Sequence, residues 1–217
     1  MDINLVIDYL ARWGHYLFGI TWIGMLYYFN FVQTEYFKEA DAPARVDAFV
    51  KLVPRALWWF RWGAMFTLLT GLVLLAYRHR GLTLDIVVGA VLATLMFLNV
   101  WLIIWPNQKI LIASNTQIKG GGQALPEAAA AAPKAALASR TNVMFSIPML
   151  FFMGSSAHFS HGLFSAKATA LIVALILIAI LEGNAIFGKP GPIATLRGVI
   201  TAGFVLTAVL WAVAALL

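Results

Sequence analysis

The chain has 217 residues, 62% of them hydrophobic and only 11% charged, with no cysteine and a formal net charge of +6. Soluble domains carry about a quarter charged residues, so this composition, with a mean hydropathy of +0.86, describes an integral membrane protein. Without a thiol there is no disulfide, thiolate metal site, iron–sulfur cluster or covalently attached c-type haem, and basic residues scattered over short connections argue against nucleic acid as a partner.

Six apolar runs approach the roughly 20 residues that a bilayer core requires, at about 6–32, 59–77, 83–105, 142–159, 167–187 and 194–216. They lack the short alternating pattern of a β-barrel, so the expected fold is an all-α bundle forming one membrane domain over residues 1–217. The first run is unusual. Asp8, Arg12, His15, Gly19 and Trp22 recur at steps of four and three and so share one helix face. An ionisable residue in a spanning helix is costly, and it ordinarily faces protein, water or a cofactor. The N-terminus shows no basic n-region or cleavage site, so no removable signal peptide is expected.

Between the first two runs, Val46, Phe49, Val50, Val53 and Leu57 alternate at helical spacing with Arg45, Asp47, Lys51 and Arg55. That pattern predicts an amphipathic helix over about 44–57 lying on the membrane surface. The Trp58-Trp59-Phe60-Arg61-Trp62 cluster that follows fits an interfacial aromatic belt. Residues 119–138, with a triple glycine, two prolines and an alanine run, read as an exposed mobile loop.

Of the fifteen Lys and Arg residues, eleven fall on the side of the connections after runs one, three and five, and Arg12, Arg78, Arg80 and Lys167 on the other. The positive-inside rule then puts the first side in the cytoplasm and both termini outside, as expected of a bacterial inner-membrane protein. This topology brings His15, His79, His158 and His161 to the outer side. His158 and His161, three apart, could face His15 and hold a b-type haem through two imidazoles, or a small divalent ion through three. The same histidines also suit interfacial hydrogen bonds, with no cofactor bound, and His79 between two arginines reads as solvated.

A second polar set gathers on the inner side: Asn30 and Gln33, Arg61, Trp105-Pro106-Asn107-Gln108-Lys109, Arg140-Thr141-Asn142, and Glu182 with Asn184. Amides read donor and acceptor edges, arginine neutralises charge and an indole stacks, which suits a small flat anionic heterocycle. Ordinary capping, snorkelling and ion pairing would account for the same residue types. Asn99, inside run three, could join either pattern.

Several ordered motifs resemble the membrane domain of the bacterial membrane-bound urate oxidase (urate hydroxylase) family. They are Arg12-Trp13-Gly14-His15 with Trp22-Ile23-Gly24, Trp58 to Gly63, Ile104 to Lys109, Ser139 to Asn142, Ser146 to Met149 and Leu181 to Ala185. The resemblance implies oxidation of urate to 5-hydroxyisourate, with electrons passing to a cytochrome c that is typically fused at the C-terminus. This chain ends at Leu217 directly after its last apolar run, so the expected acceptor is a separate cytochrome c or a quinone. Under this reading Glu182 and Arg140 are catalytic, and Asn107, Gln108, Asn142, Trp105, Arg61 and Asn184 bind substrate. His15, His158 and His161 hold the haem iron or metal ion. The rival expectations are a non-catalytic membrane subunit of a larger redox complex, and a transporter whose polar path is lined by the helix breaks at Pro106 and Pro148.

Overall fold

The structure is a computed structural model that describes residues 2–78 and 81–217. His79 therefore lies outside the described residues. Among the described residues there are nine α-helices: α1 (Ile3–Tyr27), α2 (Thr34–Glu39), α3 (Ala42–Lys51), α4 (Val53–Ala76), α5 (Leu84–Leu98), α6 (Trp105–Lys119), α7 (Ala128–His158), α8 (Ala168–Phe187) and α9 (Leu196–Leu216). Among the described residues there is no strand beyond one isolated bridge, Thr83 to Leu163.

Two π-helical turns, Tyr28–Gln33 and Asn99–Ile104, fuse α1 to α2 and α5 to α6 without breaking the rod. Pro106 explains the second. It has no N–H to give the preceding turn and its ring crowds the carbonyl there, so the helix widens just before it. In the first, the Thr34 hydroxyl donates to the Phe29 carbonyl at 2.7 Å, a reach of five residues that matches the widened turn.

Five helices among the described residues are long and apolar enough to cross a membrane: Val53–Ala76, Leu84–Lys119, Ala128–His158, Ala168–Phe187 and Leu196–Leu216. The run at 6–32 is not one of them. Asp8, Arg12 and His15 in its first half, and its tyrosines, Trp22, Asn30 and Gln33 beyond, keep its hydropathy low although its helix is continuous from Ile3 to Glu39. The predicted loop over 119–138 is also shorter than expected. The chain is non-helical only from Gly120 to Glu127, and α7 begins at Ala128, because five successive alanines are the strongest helix formers and outweigh the one hydrogen bond lost at Pro133. The predicted amphipathic helix over 44–57 divides at Leu52. Pro54 sits in the first turn of α4, where its missing N–H costs nothing, so residues 53–57 belong to the long helix.

α7 is the axis of the bundle, with 61% of its most apolar stretch buried. α1 and α4 run antiparallel, since His15 meets Thr67 while Phe29 meets Phe60. α5 and α7 are antiparallel as well, from Asp85 on Ser155 to Met96 on Asn142. Glycines let two of these contacts close. A Cβ at Gly63 would lie 3.1 Å from the Trp22 nitrogen, and one at Gly203 on α9 would lie 3.1 Å from the Met144 carbonyl. Met144 is four residues before Pro148, so its carbonyl lacks the usual helical donor, and α9 packs directly against that weakened turn.

The bundle has two chemically distinct ends. The histidine end carries His161, Asp85 and the Thr83–Leu163 bridge, and the arginine end carries Arg61, Gln108 and Arg140.

Candidate functional site

A cavity of about 180 Å³ opens at the arginine end. Its wall draws on almost every element there: Phe29, Asn30 and Gln33 from α1 and its π turn, Phe37 from α2, Phe49 from α3, Leu57 and Phe60 from α4, Ile104 and Gln108 from the α5–α6 rod, and Ala132 to Arg140 from α7. Asn30 donates to Ser139 Oγ at 2.8 Å and to its own Leu26 carbonyl at 2.9 Å, which ties α1 to α7 across the cavity.

Three residues of this wall each carry a buried polar atom without a partner: Gln33 Oε1, Gln108 Oε1 and Arg140 Nη1. Gln33 and Arg140 are each only 8% exposed. An unpaired buried polar group costs about 1–3 kcal/mol and a charged one more, so native folds rarely keep three around one hollow unless something else satisfies them. Two amides and a guanidinium over phenylalanine walls can hold a small planar anion. Arginine meets the charge, while each amide presents an oxygen or, turned over, an N–H to a ring edge.

The lid of the cavity is the α2–α3 elbow. Phe37 stacks on Phe49 with centroids 4.8 Å apart. Asp47 on α3 pairs with Lys51 at 2.9 Å and with Lys119 on α6 at 2.5 Å. Hydrogen bonds from Lys119 and Lys51 hold the Asp47 carboxyl below the usual carboxylate range.

A second polar group lies deeper along α5. Asn99 Nδ2 donates to Asn142 Oδ1 at 3.0 Å and to Glu182 Oε2 at 3.1 Å, and Asn142 Nδ2 donates to the Met96 carbonyl at 2.9 Å. Asn142 is fully buried and Asn99 nearly so. The network joins α5, α7 and α8, and neither Glu182 nor Asn142 lines the cavity. Of the other expected substrate residues, Asn107 donates to its own helix at Ile103 O, 2.7 Å away. Asn184 is exposed and donates to Lys189 O. Arg61 stacks on Trp105, its guanidinium carbon 3.3 Å from the ring centroid, and both stand outside the cavity wall. The structure thus brings Gln108 and Arg140 together with Gln33, and separates them from the carboxylate.

At the histidine end each imidazole has its own setting. His15 Nδ1 lies 3.0 Å from the Thr67 carbonyl and 3.2 Å from Thr70 Oγ1, so α4 holds the ring. His161 Nδ1 lies 2.9 Å from Asp85 Oδ1, and its backbone N–H donates to Asp85 Oδ2 at 2.8 Å. Ser155 Oγ donates to the same fully buried carboxylate at 2.6 Å. His158 is exposed.

Among the described residues no group of three or more His, Cys, Asp or Glu could hold a metal ion. In both His15 and His161 an oxygen holds Nδ1, which leaves Nε2 as the ring nitrogen that could face a ligand. Asp85 itself escaped the sequence reading, although a lone carboxylate opening an apolar run of fifteen residues is a readable signal.

A family model described as urate oxidase N-terminal matches residues 80–214, more than half of the chain. The chain belongs to the urate oxidase N-terminal family. No curated protein and no solved structure matches it. The urate oxidase N-terminal match contains Gln108, Arg140, Asn99, Asn142 and Glu182, whereas His15, Gln33 and Arg61 stand on the helices before it.

Proposed function

We propose that this chain is a membrane-bound oxidoreductase of the urate-oxidising type and that the cavity at the arginine end is its urate site. The observation that carries the reading is that Gln33, Gln108 and Arg140, each with a buried polar atom that has no partner, all line one small hollow in a member of this family. Urate is a flat monoanion at neutral pH whose rim alternates ring N–H groups and carbonyl oxygens. Arg140 meets its charge, the glutamine oxygens accept from ring N–H groups, and Phe29, Phe37, Phe49 and Phe60 supply apolar walls. At about 180 Å³ the cavity is smaller than the roughly 300–1,000 Å³ of drug-sized pockets, as suits a bicyclic substrate.

Urate and water would yield 5-hydroxyisourate, two protons and two electrons, the electrons passing to a cytochrome c or a quinone. Arg140 and the glutamines orient the ring. Glu182, hydrogen-bonded to Asn99 outside the cavity, is a structural carboxylate joining α8 to α5 rather than the base that meets the substrate. In this reading, consistent with the positive-inside count, the arginine end faces the cytoplasm, both termini lie outside the inner membrane, and urate enters from the cytoplasm beneath the α2–α3 elbow.

The alternative, a non-catalytic subunit of a larger redox complex, draws on one observation. α1 carries exposed Tyr9, Trp13, Tyr16 and Ile20, a broad aromatic face that a partner helix could cover as readily as lipid.

One pair of measurements separates the two. The purified protein is titrated with urate by calorimetry, and its visible absorption spectrum is recorded with and without urate. Saturable urate binding supports the site, and a haem band that urate reduces adds a redox centre. Absence of urate binding together with co-purification of a redox subunit favours the accessory role.

A further inference from the structure

One residue beyond the Phe60 and Ile104 wall of the cavity, Arg61 and Trp105 form a second cationic feature. The Arg61 guanidinium carbon lies 3.3 Å from the Trp105 ring centroid and 5.8 Å from that of Trp101. Lys109, one turn further along α6 and exposed, places its ammonium 5.6 Å from the same Trp105 ring. Two cations thus flank one indole. No acidic side chain pairs with either among the described residues, whose ion pairs all lie elsewhere.

The polar atoms here are all donors. Arg61 Nε, Arg61 Nη1 and Trp101 Nε1 are buried without an acceptor, and Arg61 as a whole is only 9% exposed. An aromatic face attracts a cation but offers its N–H groups nothing to bond. A guanidinium left with free donors and uncompensated charge calls for an oxyanion, and its planar fork matches phosphate.

Position decides which oxyanion. Arg61 stands within the tryptophan cluster at the arginine end, where Trp58, Trp59 and Trp62 are exposed. From there an exposed stripe runs along α4 through Trp62, Phe66 and Leu69, with the Trp62 and Phe66 rings 5.9 Å apart. Phosphate at the cations and an acyl chain along that stripe is the arrangement of a phospholipid, and basic pockets between helices on the cytoplasmic side are suited to anionic headgroups. We propose that Arg61, Lys109, Trp101 and Trp105 form a headgroup site for an anionic phospholipid. Lys109, on the surface, marks the side from which the phosphate enters, and Arg61 Nε, Nη1 and Trp101 Nε1 receive its oxygens. None of these residues lines the urate cavity, so the two sites stand or fall separately.

The test uses the purified full chain, delipidated in a mild detergent, with binding read by native mass spectrometry and thermal unfolding. Dioleoyl phosphatidylglycerol, dioleoyl phosphatidylcholine and inorganic phosphate are the three probes. The expected result is retention of phosphatidylglycerol with a raised melting temperature, little effect of phosphatidylcholine, and none of phosphate. Lys109→Gln and Arg61→Gln should each weaken phosphatidylglycerol binding about fivefold. Lys109→Gln changes only an exposed side chain, so it keeps the test valid should Arg61→Gln fail to fold. Equal binding of the neutral lipid, or wild-type affinity in Lys109→Gln, overturns the proposal. A shift produced by inorganic phosphate alone overturns it too, by assigning the pocket to a free oxyanion.

Discussion

Replacing Arg140 by methionine separates binding from stability in a way that few other changes would. The guanidinium is 8% exposed, its Nη1 lacks an acceptor, and no carboxylate pairs with it among the described residues. Methionine keeps much of the length and volume of the side chain but removes the charge. Without ligand, the exchange relieves an unpaired buried cation, and replacing buried charge by well-packed apolar groups is commonly neutral or stabilising. With urate, it removes a charge-assisted hydrogen bond worth about 1.5–3 kcal/mol, which is a loss of affinity of roughly tenfold to 150-fold. Calorimetric titration of wild type and Arg140→Met with urate, and with a neutral purine of similar shape, measures the binding term, and thermal unfolding of the ligand-free proteins measures the other. The expected pattern is a large loss for urate, a much smaller loss for the neutral purine, and a melting temperature equal to or above wild type. Wild-type urate affinity in Arg140→Met, or equal losses for both ligands with a lowered melting temperature, would refute the role given to this residue.

Three further outcomes follow from named contacts. Asn142→Leu removes an acceptor of Asn99 in the core and a second donor to the Met96 carbonyl, which keeps the Asn99 backbone N–H, at about 1–3 kcal/mol, and should lower the melting temperature while urate affinity holds, because Asn142 does not line the cavity. Gly203→Leu inserts a side chain where a Cβ alone already comes within 3.1 Å of the Met144 carbonyl, and should cost about 1–3 kcal/mol by overpacking, read as thermal unfolding well below that of Gly203→Ala. Asp47 titrates below the usual carboxylate range because of Lys119 and Lys51, so its contribution is fully present above the ordinary aspartate value and is lost as the pH falls through its depressed value. Hydrogen exchange of α3 should therefore quicken at acid pH in wild type and be fast and nearly pH-independent, after correction for intrinsic exchange, in Asp47→Asn. High salt should blunt the difference because the pair is exposed.

The bundle was legible where apolar length decides, as in α4, α5, α8 and α9, and illegible where polar and apolar cues compete. Asp8, Arg12 and His15, with the tyrosines and amides further along, place α1 below the hydropathy of a plain span, yet its contacts with α4 hold it in the bundle, a fact that no local pattern carries. The alanines after Glu127 looked like a broken loop beside three glycines, although their propensity carries α7 a further turn and more. That misreading concealed Ala132 to Ser139, the floor of the cavity. Gln33, Gln108 and Arg140 could all be picked out as members of the inner polar set, but that these three, and not Asn107 or Asn184, line one hollow depends on the helix packing. Glu182 could be picked out by type too, but its separation from the cavity and its hydrogen bond from Asn99, more than eighty positions away, lay beyond any local pattern.

The central claim, that this chain oxidises urate at the Arg140 cavity, is tested most directly by counting electrons. The purified protein is given urate and, in separate runs, ferricytochrome c or a soluble quinone, while urate loss and acceptor reduction are followed together. The account predicts two electrons delivered for each urate consumed with at least one acceptor, and at subsaturating urate a rate in Arg140→Met lowered in proportion to its loss of affinity. No urate consumption with any acceptor, or consumption at an unchanged rate in Arg140→Met, would contradict it.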